Sequence, residues 1–201
     1  MSTKKADATR KKLLDAALEV MARQGYAEAT MEQIAAAAGV SKGLAYYHFA
    51  SKADIASEIL SSFVGELHGQ FVAIAAQAKT GLEALVEMLD HFADALAENG
   101  RFSRFYLSEL WRDKRVWALD MGNLEARLIT IVAEQFARAK REGKVREGVD
   151  PEFAAVTSIG IVLTTAMRYF GTGDANGLRL AKDEYVRNVV DFILHAVDAR
   201  A

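Results

Sequence analysis

The sequence predicts an all-helical chain of about nine helices. Proline occurs once in 201 residues, and alternating β-branched runs are scarce. Alanine- and leucine-rich stretches with apolar residues at i, i+3, i+4 and i+7 recur along the whole chain. Half of the residues are apolar (51%), enough to bury a core.

The first helix runs from about Asp7 to Gln24, with Leu13, Leu14, Ala17, Leu18 and Met21 as its apolar stripe, and Gly25 stands where a helix stop belongs. The second starts at Thr30, where "TMEQ" fits a capping box: the threonine hydroxyl takes one orphan amide and Gln33 reaches back. It ends at Gly39. Ser41 caps a third short helix, and Ser51 caps a fourth, with Asp54 suited to that helix's dipole. The fourth helix reaches about Gln77 through Ile55, Ile59, Phe63, Leu67 and Phe71, and Gly81 opens a fifth carrying Leu85, Met88, Leu89, Phe92 and Leu96. "RFSRFYLSELWRD" makes a sixth, and a seventh spans about Trp117 to Arg141. "REGKVREGVDP" is a loop closed by Asp150 as cap and Pro151 at the first helical position. The eighth helix covers about 151–170 and the ninth about 180–199, with "GTGDANG" between them. There is no internal repeat.

Composition excludes several classes. Cysteine is absent, which removes disulfides, thiol catalysis and thiolate metal sites. Charges interrupt each apolar stretch before it reaches a membrane span, and "MSTKKADATRKK" has no apolar run after its basic residues, so no signal segment is expected. A cytoplasmic protein without membrane contact or cofactor is the expectation. Net charge is −2 but uneven: residues 1–60 hold eight Lys/Arg against seven Asp/Glu, the remainder seventeen against twenty. Lys4, Lys5, Arg10, Lys11 and Lys12 crowd the start, a small basic end on a mildly acidic body.

The second and third helices are separated only by Gly39 and Val40. Helices that short must lean on the first helix and the start of the fourth. A short helix, a tight glycine turn and a second capped helix form a helix-turn-helix, whose second helix enters the DNA major groove. Ala45 and Phe49, four apart, then face the first helix, with Val40 packed in the turn. Lys42, Tyr46 and their neighbours face outward. The hydroxyls of Tyr46 and Tyr47 and the ring of His48 suit phosphate oxygens. Lys52, in the first turn of the fourth helix, adds a cation where the dipole already favours an anion. Gly43 permits close backbone approach, Lys42 can reach guanine O6/N7, and Leu44 can touch a thymine methyl. Taken singly each residue has a plainer reading: half-buried tyrosines, a structural histidine, solvated lysines. Their spacing between two capping serines favours DNA.

The stretch "ATRKKLLDAALEVMARQGYAEATMEQIAAAAGVSKGLAYYHFASKADI" resembles the N-terminal domain of the TetR family of bacterial transcriptional regulators over residues 9 to about 55. Ala17, Gly25, Thr30, Ile34, Ala35, Gly39, Val40, Ser41, Gly43, Tyr46, Phe49 and Lys52 fall at that family's spacing. The resemblance implies DNA contact by Thr30, Ser41, Lys42, Gly43, Leu44, Tyr46, Tyr47, His48 and Lys52. It also implies a helix-turn-helix domain over 1–54 and a larger helical ligand-binding and dimerisation domain over 55–201. The chain departs from the family at Ala45, where a bulkier apolar residue is usual, leaving Leu44 either outward or turned partly inward.

The ninth helix has Val186, Val189, Val190, Ile193 and Val197 on one side and Tyr185 and Phe192 on the other, and the eighth is apolar nearly all round. Helices apolar on more than one face need a second partner, and a two-fold homodimer through helices eight and nine supplies it. Members of the TetR family dimerise in this way. The alternative is that both helices only close the monomer core. The middle helices gather flat or flexible side chains suited to an apolar or aromatic small-molecule effector: Phe71, Met88, Phe92, Phe105, Tyr106 and Trp111, with Trp117, Met121 and, on the eighth helix, Met167. His68, His91 and Arg104 are the candidates for polar orientation. Glu87 and His91 stand at i, i+4, but no repeated Glu-x-x-His pair, His-Glu-x-x-His, nucleophile elbow or phosphate-cradling glycine loop occurs. The expectation is therefore a one-component regulator, a repressor binding a near-palindromic operator in double-stranded DNA and released by its effector, and neither an enzyme nor a metal protein. The competing reading is an all-helical ligand-binding or scaffolding protein without DNA.

Overall fold

The computed structural model describes residues 3–98, 100–110, 118–166, 168–169 and 181–198. Nine helices lie among them: α1 (Thr3–Gln24), α2 (Met31–Ala37), α3 (Lys42–His48), α4 (Lys52–Gln77), α5 (Gly81–Glu98), α6 (Gly100–Leu110), α7 (Ala118–Arg141), α8 (Pro151–Ala166) and α9 (Lys182–Val197). The first helix begins four residues before its expected start at Asp7, so Lys4 and Lys5 are helical. The "WRD" end of the sixth helix, the last residues of the eighth and "GTGDANG" lie outside the described residues.

The chain packs as two compact units. One comprises Met1–Phe63 with Arg101–Gly122, the other Val64–Gly100 with Asn123–Ala201. In the first unit α1 packs on α2, and α2 on α3. Leu13, Ala17, Val20 and Met21 of α1 meet Ile34 and Ala35 of α2, Ala45 of α3 and Ile55 of α4 in a buried core. Gly25 ends α1 with φ 84°, and its N–H donates to Met21 O at 2.9 Å, a left-handed stop that a side chain would strain. Segment 101–110 joins this unit through aromatic stacking, with Phe102 3.9 Å from Phe63 and 5.6 Å from Tyr106 between ring centroids.

In the second unit α5 packs against α8 and α9. Met88, Leu96, Phe136 and Tyr185 are among its largest fully buried side chains. The approach of α5 to α7 is close because residue 81 is glycine: a Cβ there would stand 2.5 Å from Ala139 N and Gln135 O. Arg138 Nη2 donates to Ala78 O and Lys79 O, and Glu142 Oε2 accepts from Gly81 N, so the end of α7 closes the α4–α5 turn. Asp150 caps α8 as expected, accepting from Phe153 N at 2.8 Å. Arg146 donates to Val197 O and Ala196 O, satisfying carbonyls at the end of α9.

One expectation needs correction. Contrary to the reading that charges interrupt every span, α4 is long and apolar enough to cross a membrane by length and composition. Its buried residues Ile55, Ala56, Leu60, Val64, Leu67, Phe71 and Ile74 share one face, while Gly65, Glu66, Gly69 and Gln70 are exposed. A buried stripe along one side is what a helix packed on a core presents, although Val72 is also exposed on α4.

Candidate nucleic-acid interface

Local hydrogen bonds build the α2–α3 turn. Thr30 Oγ1 accepts from Gln33 N at 3.2 Å while Gln33 Oε1 accepts from Thr30 N at 2.9 Å, completing the capping box. After α2, Gly39 turns with φ 67°, and Val40 N donates to Ala35 O at 3.0 Å. Ser41 Oγ then accepts from Leu44 N and starts α3. Each of these bonds joins residues no more than five apart, so the turn is written almost entirely in local sequence.

The two faces of α3 separate as the spacing predicts. Ala45 and Phe49 are buried, whereas Leu44 (39%), Tyr46 (45%) and Tyr47 (80%) are exposed. Leu44 therefore stays outward, and the small Ala45 alone seats α3 on the core. Ser41, Lys42 and Gly43 are also exposed and His48 is half-buried. Tyr47 meets the His48 ring edge-on, with centroids 5.3 Å apart. Arg10 of α1 fixes the other end of α3: its Nη1 donates to His48 O at 3.2 Å, its guanidinium lies 4.3 Å above the Phe49 ring, and its fork grips Glu58 of α4. Sequence reading counted Arg10 only as part of a basic end. A bidentate partner 48 residues away leaves no mark in local spacing.

Lys52 is engaged within the chain. Its Nζ donates to Tyr26 O, Ala27 O and Ala29 O at 2.9, 2.8 and 2.7 Å, and it lies 4.6 Å from the centre of the Tyr26 ring. An ammonium has three protons, and here each meets a carbonyl of the α1–α2 loop. Lys52 thus clamps that loop to the start of α4. Lys42 is not a free cation either, since its Nζ pairs with Glu32 of α2. The Lys42 side-chain bond, followed by Glu32's own backbone N–H, holds the Glu32 carboxyl below its ordinary value. The same bond raises the Lys42 ammonium.

The effector candidates divide. Phe71, Met88 and Phe92 line an apolar cavity of ≈ 50 Å³ inside the second unit, together with Val132, Phe136 and Ile159; among the described residues Ser158 is its only polar one. His68, His91, Arg104, Phe105 and Tyr106 do not line it. Arg104 is exposed, and Phe105 and Tyr106 are buried in the first unit with Phe102. Trp111, Trp117 and Met167, and the side chain of Met121, lie outside the described residues. Apart from Phe136 and Ser158, the missed lining is aliphatic, as at Val86, Val190 and Leu194. Side chains of that kind at helical spacing read as core, and only packing shows which of them leave a gap. Among the described residues no three His, Asp or Glu side chains gather to hold a metal ion.

Residues 13–59 match the family model described as bacterial regulatory proteins, tetR family. The chain is 32% identical over 200 residues to the HTH-type transcriptional repressor KstR2 of Rhodococcus jostii, covering 90% of this chain and 89% of that protein. The chain belongs to the TetR family. A second relative, the HTH-type transcriptional regulator SrpR of Pseudomonas putida, is 29% identical over 168 residues, covering 83% of this chain and 76% of that protein. The fatty acid degradation regulator FadR of Bacillus halodurans shares the fold, with a TM-score of 0.82 at 20% identity over 92% of this chain and 94% of that one. This TetR-family chain is accordingly a DNA-binding transcriptional regulator and not an enzyme.

Proposed function

We propose that the chain represses transcription as a homodimer joined through α8 and α9, and that an apolar effector releases it from DNA. The observation that carries the dimer is exposure: Phe153 (72%) on α8 and Phe192 (66%) on α9 stand in water. Ile161, Val189 and Phe192 border a further cleft of ≈ 420 Å³ between these helices. Large apolar patches on helices that already pack inward mark an association surface, and a two-fold axis lets the same patch meet itself. Two copies of α3 then sit in successive major grooves, about 34–36 Å apart, on a near-palindromic operator.

Within residues 1–54, Tyr46, Tyr47 and His48 set the register on phosphates, while Ser41, Lys42, Gly43 and Leu44 approach base edges. Thr30, whose hydroxyl serves the capping box and the Glu32 carboxylate, lies at the rim of this surface. Lys52 acts by holding the scaffold rather than by touching DNA. The effector site is the apolar cavity around Phe71, Met88 and Phe92. At ≈ 50 Å³ it is well short of the roughly 300 Å³ a drug-sized ligand fills, so an effector must part the helices, and it weakens DNA binding only as far as it favours that parted conformer. The lining accepts a hydrocarbon chain or ring system and offers no charged partner. Light scattering and footprinting on a duplex selected from random DNA test the reading together: a dimer protecting two half-sites about one turn apart is expected. A monomer in solution and on DNA would sink it.

A further inference from the structure

The surface that meets DNA is not basic where it should be. From Glu28 to Ser51 the chain holds two carboxylates, Glu28 and Glu32, and one ammonium, Lys42. That ammonium is paired with Glu32, and both side chains are more than half exposed. Glu32 is the second residue of α2, where the helix dipole favours an anion. Lys42 acts on it most strongly, and its own backbone N–H and, least, the Thr30 side chain add to this. The lysine that opens α3 is thus paired with a carboxylate carried by the first turn of α2. Both groups stay charged around neutrality, since the pair lowers one and raises the other.

An exposed pair of this kind contributes little to stability, so its position matters more than its strength. A free ammonium at the start of a recognition helix attracts any phosphate, whatever the sequence, by releasing counterions. A fixed carboxylate beside it cancels that attraction. In the major groove a G·C pair presents acceptors, guanine O6 and N7, next to a donor, the cytosine N4 amino group. An ammonium and a carboxylate held side by side match this pattern. Against backbone phosphate the carboxylate finds no donor and repels.

We propose that Glu32 is a specificity-determining residue, keeping the Lys42 ammonium off phosphate and, together with it, reading a base pair that offers an acceptor beside an amino donor. This rests on the placement of α3 in the major groove.

The test uses the full chain and two 30-base-pair duplexes, one of random sequence and one that the unaltered protein selects from a random library. Glu32→Gln is expected to bind the random duplex about three- to tenfold more tightly, with a salt slope steeper by about one. Its preference for the selected duplex is expected to fall about tenfold. Lys42→Met, the complementary variant, loses preference without gaining affinity for random DNA. Glu28→Gln changes net charge equally but touches no lysine, and should leave preference unaltered. The proposal is overturned if Glu32→Gln keeps the original slope and preference, if Glu28→Gln reproduces its effect, or if Lys42→Met stays fully selective. Failure of the unaltered protein to select any duplex overturns the DNA placement itself, which is a separate result.

Discussion

At Lys52 one ammonium meets three carbonyl oxygens, and this changes what its substitution should do. Replacing it with methionine strands three loop carbonyls and lowers the stability of the unaltered fold by about 1–2 kcal/mol, given the usual worth of hydrogen bonds to a charged donor. The measurement is urea unfolding, run beside the salt dependence of DNA binding. A lower midpoint with an unchanged slope is expected, whereas a slope shallower by about one returns Lys52 to the phosphates. Tyr47 presents the opposite case. With 80% of its surface exposed, it holds little of the fold in place, so Tyr47→Phe should keep the melting temperature and weaken DNA binding about tenfold through one lost hydrogen bond to a charged oxygen. The outward direction of Tyr47 was legible from spacing because α3 alone sets it. The engagement of Lys52 was not, since the carbonyls that claim the ammonium lie 23 to 26 residues earlier and their orientation depends on how the loop folds back.

Elements are held by a few close approaches. Gly81→Ala puts a Cβ 2.5 Å from backbone atoms of Gln135 and Ala139, which cannot yield as a flexible side chain can. We expect α5 to lift from α7 and the second unit to lose about 1–3 kcal/mol, read as a lower melting temperature. The α8–α9 pair turns on Tyr185, buried at 1% exposure, whose hydroxyl donates to Val162 O at 2.9 Å and lies 3.0 Å from Thr165 Oγ1. Burial raises its phenol above the ordinary 10.0, with the Thr165 contact working the other way. A raised folded value means the stabilisation is complete below pH 10 and fades as pH climbs through that value. Melting curves from pH 8 to 11 should fall more steeply for the natural chain than for Tyr185→Phe. That variant should cost about 1 kcal/mol at neutral pH. Parallel curves would show that the phenol does not govern this pairing.

For the whole molecule, the surface that matters is the one the single chain leaves uncovered. Phe153→Glu combined with Phe192→Glu places like charges opposite each other across a two-fold axis, and should give monomers by light scattering with helix content unchanged by circular dichroism. DNA affinity should then drop at least a hundredfold, because one reading head loses the effective concentration supplied by the other. Monomers that still bind DNA with full affinity would separate dimerisation from recognition.

The sequence by itself determined the helices, their caps, the turn at Gly39 and the outward side of α3, because helical period and capping act between residues fewer than about five apart. Tertiary structure alone decided that Arg10 grips the end of α3, that Lys52 faces a loop, that Lys42 is shared with Glu32, and which aliphatic residues leave a cavity. Those outcomes depend on where separate helices bring their side chains once packed, and no spacing along the chain encodes that distance.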